Sequence, residues 1–72
     1  MSNDYRKGDA VSWSWGQGHA KGHVVERFTR RVQRTIKGSR IVRKGTEDNP
    51  AYLIEQSDGD RALKRGSELS RG

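Results

Sequence analysis

Seventy-two residues, 29% of them hydrophobic and 33% charged, suffice for one domain near the lower size at which a hydrophobic core holds a fold unaided. The formal charge is +6 and cysteine is absent, which excludes a disulfide framework and thiolate-bound zinc. No apolar run approaches the roughly 20 residues that span a bilayer, and no apolar stretch follows the basic N-terminus. Neither a membrane helix nor a secretory signal is expected, and the expected location is cytoplasmic. High charge with low hydrophobicity invites disorder. Two Trp, two Tyr, one Phe and well-spaced Val, Ile and Leu argue instead for a fold, stable by only about 3–5 kcal/mol.

The charge is unevenly spread. Arg27, Arg30, Arg31, Arg34, Lys37, Arg40, Arg43 and Lys44 make residues 27–44 a segment of +8 with no acid in it. The other seven basic residues face all nine acids, so the remainder of the chain is −2. Such asymmetry bears on partners and solubility rather than on fold.

In chain order, residues 1–4 read as a flexible end, followed by a single domain over 5–70 and a second flexible end at 71–72. After Gly8-Asp9, Val11, Trp13 and Trp15 alternate with Ala10, Ser12 and Ser14, the period of a strand with one buried face. Gly16-Gln17-Gly18 turns the chain. A second strand is expected from about residue 20 to 28, with Gly22 where a bulge or a close backbone contact would fall.

The next segment has two readings. Val25, Phe28, Val32 and Ile36 lie near one helical face, and Arg27, Arg30, Arg31 and Arg34 follow helical spacing on another. Yet Thr29, Val32, Thr35 and Ile36 are β-branched, which favours strand, and Lys37-Gly38-Ser39 reads as a turn into Arg40-Ile41-Val42-Arg43. Asn49-Pro50 ends a loop, residues 51–56 form a clear strand, and Asp58-Gly59-Asp60 is a hairpin signal that returns into residues 61–64. Ser67-Glu68-Leu69 suits a closing 3-10 turn. Glycines at short intervals elsewhere leave room only for short strands, the pattern of an all-β barrel or sandwich.

These segments together resemble the hypervirulence-associated Tudor-domain family. The likeness lies in Lys7-Gly8-Asp9-Ala10-Val11-Ser12-Trp13, in Gly22-His23-Val24-Val25-Glu26-Arg27-Phe28 and in Thr35-Ile36-Lys37-Gly38. It continues through residues 47–56, 58–64 and 67–69, covers about residues 5–69, and is most specific over 50–56 and 58–64. The resemblance implies a small SH3-like, Tudor-type barrel of about five antiparallel strands with a short 3-10 turn near the C-terminus. It also implies a β-hairpin over 28–43. It supplies no catalytic residue and no ligand.

Several constellations have bland readings that prevail. His19 and His23 share a face, but zinc needs three or four ligands and none follows at a suitable spacing, so both read as surface histidines. Gly16-Gln17-Gly18 lacks the third glycine and helix of a dinucleotide loop. Asp58-Gly59-Asp60 is too short for a calcium loop. The serines sit in no strand–elbow–helix signature, and neither an enzyme nor a cofactor is expected. Tudor-type barrels can grip methylated residues in a cage of aromatic rings, for which Trp13, Trp15, Phe28 and Tyr52 are the candidates here. Trp13 and Tyr52 fit core packing better, and a cationic ligand would approach a cationic domain.

A binding module for a polyanion, RNA or DNA, is therefore expected, with Arg27, Arg30, Arg31, Arg34, Lys37, Arg40, Arg43 and Lys44 meeting phosphates. Arginine suits that role through its planar fork. Stacking would come from Trp13 or Phe28 if either ring were exposed. The alternative is an adaptor that takes a protein or peptide strand on a barrel edge or in a groove. The bland reading is a solvated face, or one neutralised by Glu47-Asp48. A monomer is favoured, because the basic segment opposes face-to-face packing. In a hairpin the arginines divide between two faces, so about half of them would meet one ligand.

Overall fold

The computed structural model describes residues 4–72. Strands β1 (Ala10–Trp15), β2 (Gly18–Phe28), β3 (Arg31–Ile36), β4 (Ser39–Lys44), β5 (Ala51–Glu55) and β6 (Arg61–Arg65) are followed by a 3-10 turn (Gly66–Glu68) and β7 (Ser70–Arg71). Five strands form one antiparallel sheet in the order β6-β5-β2-β1-β7, and β3 and β4 form a separate hairpin. The result is the all-β, SH3-like barrel that the resemblance implied. Of the expected flexible N-terminus, residues 1–3 lie outside the described residues, and the Asp4 carboxylate meets Arg27 at 2.9 Å. At the other end the ladder extends past the expected boundary at residue 70, because Arg71 pairs with Val11 and the Gly72 N–H reaches the Ala10 carbonyl at 3.3 Å.

Residues 31–44 resolve the helix–strand ambiguity as strand. Ile36 pairs with Ser39 across a two-residue loop in which Lys37 and Gly38 both have positive φ, 51° and 78°. Two left-handed residues in succession make the turn whose twist matches that of the flanking strands. A helix through Lys37-Gly38 would forfeit that turn, and β-branched Val32, Thr35 and Ile36 gain on the pleated surface.

In β2 the register shift falls between Val24 and Glu26, not at Gly22. Gly22 instead marks a close approach: a Cβ there would sit 2.6 Å from the Glu55 carbonyl oxygen and 2.7 Å from Ile54 Cγ2.

The core divides on β5, whose run Ala-Tyr-Leu-Ile is buried throughout. Tyr52 and Ile54 pack with Tyr5, Val11, Trp13, Val24 and Leu69. Ala51 and Leu53 pack with Phe28, Val32 and Leu63 under the β3–β4 hairpin. Successive strand residues point to opposite faces, so a continuous apolar run is what a strand covered on both sides requires. The buried Tyr5 ties the chain ends to this core. Its N–H donates to Tyr52 Oη at 2.7 Å, its hydroxyl donates to the Leu69 carbonyl at 3.2 Å, and its ring stands edge-on to that of Tyr52 with centroids 5.6 Å apart.

Candidate functional site

Antiparallel register assigns every side chain of the hairpin to a face. Val32 pairs with Arg43, Arg34 with Ile41 and Ile36 with Ser39, and these turn toward the body of the protein. Arg31 pairs with Lys44, Gln33 with Val42 and Thr35 with Arg40 on the outer face. The eight cations of the basic segment therefore have separate fates.

Arg30 and Arg34 cover the core. Their guanidinium carbons lie 5.4 and 4.9 Å from the centroid of the Phe28 ring, which is 4% exposed. Cation–π attraction and the apolar stems of both arginines seal the ring from water. Three further cations meet acids brought from distant parts of the chain: Arg27 with Asp4 at 2.9 Å, Lys37 with Asp60 at 2.7 Å, and Arg43 with Glu68 at 3.5 Å. The Arg27 guanidinium is held above its usual pKa, first by hydrogen bonding to Tyr52 and then by Asp4. Lys37 is likewise raised by its hydrogen bond to Asp60. The Arg27 and Lys37 pairs are largely solvent-exposed, so they cancel local charge more than they stabilise the fold, whereas the Arg43–Glu68 pair is half-buried.

Arg31, Arg40 and Lys44 remain. All three are exposed on the outer face, and among the described residues none is in an ion pair with an acid. Of the eight candidate cations, these three share the outer face of the hairpin with no acid beside them among the described residues.

Two ion-pair ties join the hairpin to the sheet: Lys37–Asp60 links its tip to the β5–β6 turn, and Arg43–Glu68 links β4 to the 3-10 turn. Between hairpin and sheet lies a groove of about 570 Å³, with Trp13, Ala20, Ile36, Ile41 and Ala62 among its apolar lining. Trp15 stands in its wall and is 66% exposed, the one large hydrophobic side chain so exposed among the described residues. The alternation Val11, Trp13, Trp15 is therefore correct as to face, but its third member is not buried. Trp15 ends β1 opposite Gly18, which has no side chain to lie against it.

Of the other candidate rings, Trp13 alone lines the groove. Phe28 and Tyr52 are core residues, and Trp13 is 6% exposed. Stacking on Phe28 is precluded by its burial, so the exposed platform is Trp15 rather than the expected Trp13 or Phe28. His19 and His23 are both exposed, and His19 Nδ1 lies 3.5 Å from Ser14 Oγ. No cluster of three metal-ligating side chains occurs among the described residues. No helix of the described residues is long and apolar enough to cross a membrane.

Sequence reading missed the contribution of β6. Arg61 and Lys64 line the groove, and Glu68 gathers Arg43, Lys64 and Arg65 at 3.5, 4.0 and 3.7 Å. In the sequence these are ordinary polar positions of a short strand, and nothing local marks them as neighbours of residue 43.

A small antiparallel barrel with a lateral groove and a projecting hairpin belongs to the Tudor-type class, which generally comprises non-catalytic binding modules. The family model for the Tudor domain of hypervirulence associated proteins matches residues 8–69, and the chain belongs to that family. No curated protein and no solved structure matches it.

Proposed function

We propose that this domain binds nucleic acid through the phosphate backbone, with little sequence preference, on the outer face of the β3–β4 hairpin. The observation that carries the reading is the register that sets Arg31, Arg40 and Lys44 on one exposed face, with no acid beside them among the described residues, while Arg27, Lys37 and Arg43 each have an acid within reach. Arg31 and Lys44 are direct cross-strand partners, so two like charges sit side by side. Like charges so placed cost stability, and a bound phosphate relieves that repulsion. Three phosphates neutralised predict a slope of log affinity against log salt of about −2 to −3.

The test is a titration with single- and double-stranded oligonucleotides at two salt concentrations. Wild-type protein is expected to bind at about 50 mM salt with that slope, and Arg31→Glu, Arg40→Glu and Lys44→Glu together to weaken binding more than about tenfold. Absence of binding by the wild-type domain at low salt overturns the reading.

A second reading, an adaptor that takes a peptide strand on the barrel edge, is favoured by one feature. β7 pairs with Val11 and Ser12 of β1, and no strand of the described residues continues that ladder beside residues 13–15. Peptide binding that shifts the Ser14 amide resonance and is indifferent to salt would favour this reading over the first.

A further inference from the structure

The groove beside Trp15 lies across the hairpin from Arg31, Arg40 and Lys44, on the inner side of β3 and β4. We infer that it receives a single strand, with one base stacked on Trp15 and the adjoining phosphate held by Arg43 and Lys64. The inference rests on the nucleic-acid reading for its class of ligand, and goes beyond it in strandedness and in site.

Three observations support it. Trp15 offers a largely exposed indole on backbone that β2 pairing and the Trp15–Gly18 turn hold in place, so a base meets a ring anchored at one point of the groove wall. The charge at the groove is complementary to a nucleotide strand: Lys37, Arg43, Arg61 and Lys64 line it against Asp58 and Asp60. The excess is concentrated at the Arg43 end, where Glu68 is one carboxylate shared by Arg43, Lys64 and Arg65, leaving two positive charges uncompensated. The volume of about 570 Å³ lies within the ordinary range for a small-molecule site. An acidic peptide would use the cations alone. A nucleotide uses the ring and the cations together. Duplex DNA keeps its bases stacked inside and can meet only the charges.

The two tryptophans make the site readable. Trp13 is 6% exposed and Trp15 66%, so ligand-dependent quenching of intrinsic fluorescence reports chiefly on Trp15. The experiment titrates the full chain with oligothymidylate of about 10 nucleotides, and with a duplex of equal length, at about 50 mM salt. Single strand is expected to quench the fluorescence and duplex to leave it unchanged. Trp15→Ala should weaken single-strand binding about five- to a hundredfold, and duplex binding less than about twofold. Lys64→Gln, which leaves the Arg43–Glu68 tie in place, should weaken the single strand several-fold and serves as a second variant that does not touch the ring.

If wild-type protein binds both oligonucleotides but Trp15→Ala changes neither affinity, or both equally, the groove inference falls and the hairpin reading stands. If wild-type protein binds neither, the hairpin reading falls and takes this one with it. Quenching by a methylated lysine peptide and not by oligothymidylate would assign the groove to a cationic ligand, and overturns the inference.

Discussion

The two faces of the β3–β4 hairpin carry the same kind of residue and use it in opposite ways. On the inner face Arg34 lies against Phe28, and Arg43 reaches Glu68 while its guanidinium also donates to the Val42 carbonyl at 2.9 Å. On the outer face Arg31 and Arg40 meet no acid among the described residues. Alternation at period two is enough to produce this division. A guanidinium turned inward becomes part of the packing, with its stem covering apolar surface and its head set against a ring or a shared carboxylate. One turned outward keeps its charge available. A count of eight cations therefore overstates the binding surface, and the useful quantity is the number left unpaired on one face.

Substitutions separate the two faces, and the largest effect is expected beneath the inner one. Phe28→Ala removes the ring that supports Arg30 and Arg34 and leaves a cavity in the cluster of Val32, Ala51, Leu53 and Leu63. A loss of about 3–5 kcal/mol is comparable with the whole stability of so small a domain. Circular dichroism should find this variant unfolded, and a cooperative melt near the wild-type temperature would show that the hairpin cluster is not part of the core.

A smaller effect compares the faces directly. Arg34→Ala should cost about 1 kcal/mol through the lost cation–π contact and stem packing, whereas Arg31→Ala should stay within about 0.5 kcal/mol of wild type. Oligonucleotide affinity should show the reverse order, because only Arg31 is on the free face. Equal stability losses in the two variants would contradict the assignment of faces.

The smallest effect is at the hairpin tip. Asp60 raises the Lys37 pKa above the ordinary lysine value of 10.5. A cation whose folded pKa is raised contributes its stabilisation below the unfolded value and loses it as pH rises through the folded one. The tie between hairpin tip and β5–β6 turn should thus persist across neutral pH and be lost only in strongly alkaline solution. A side-chain NMR titration of Lys37 with its midpoint at or below 10.5 would show that the tie does not form.

Much of the fold was legible along the chain because it depends on neighbours. The Val11, Trp13, Trp15 alternation identified β1 and its inward face, the apolar run Ala51-Tyr52-Leu53-Ile54 identified the central strand, and Asp58-Gly59-Asp60 identified the β5–β6 turn. The hairpin at 31–44 was not decided by periodicity. Arginine spacing suited a helix, and β-branched residues with Lys37-Gly38 suited strands, so the resemblance to a known family settled the expectation. The site was less legible. The sequence marked the basic segment, but Asp4, Asp60 and Glu68, which pair with three of its members, lie far from it along the chain. Trp15 looked like a third core residue because its period matched, and only its place at the end of the strand leaves it uncovered.

Local chemistry, then, determined β1, the central strand, the main turns and the existence of a cationic segment, because each follows from residues within a few positions of one another. The tertiary structure decided which of those cations meet an acid, which ring is exposed, and that β6 shares a groove with the hairpin. Those properties depend on which distant acid, ring or strand edge comes within a few ångströms of a given side chain. Register and packing set that distance, and spacing along the chain does not.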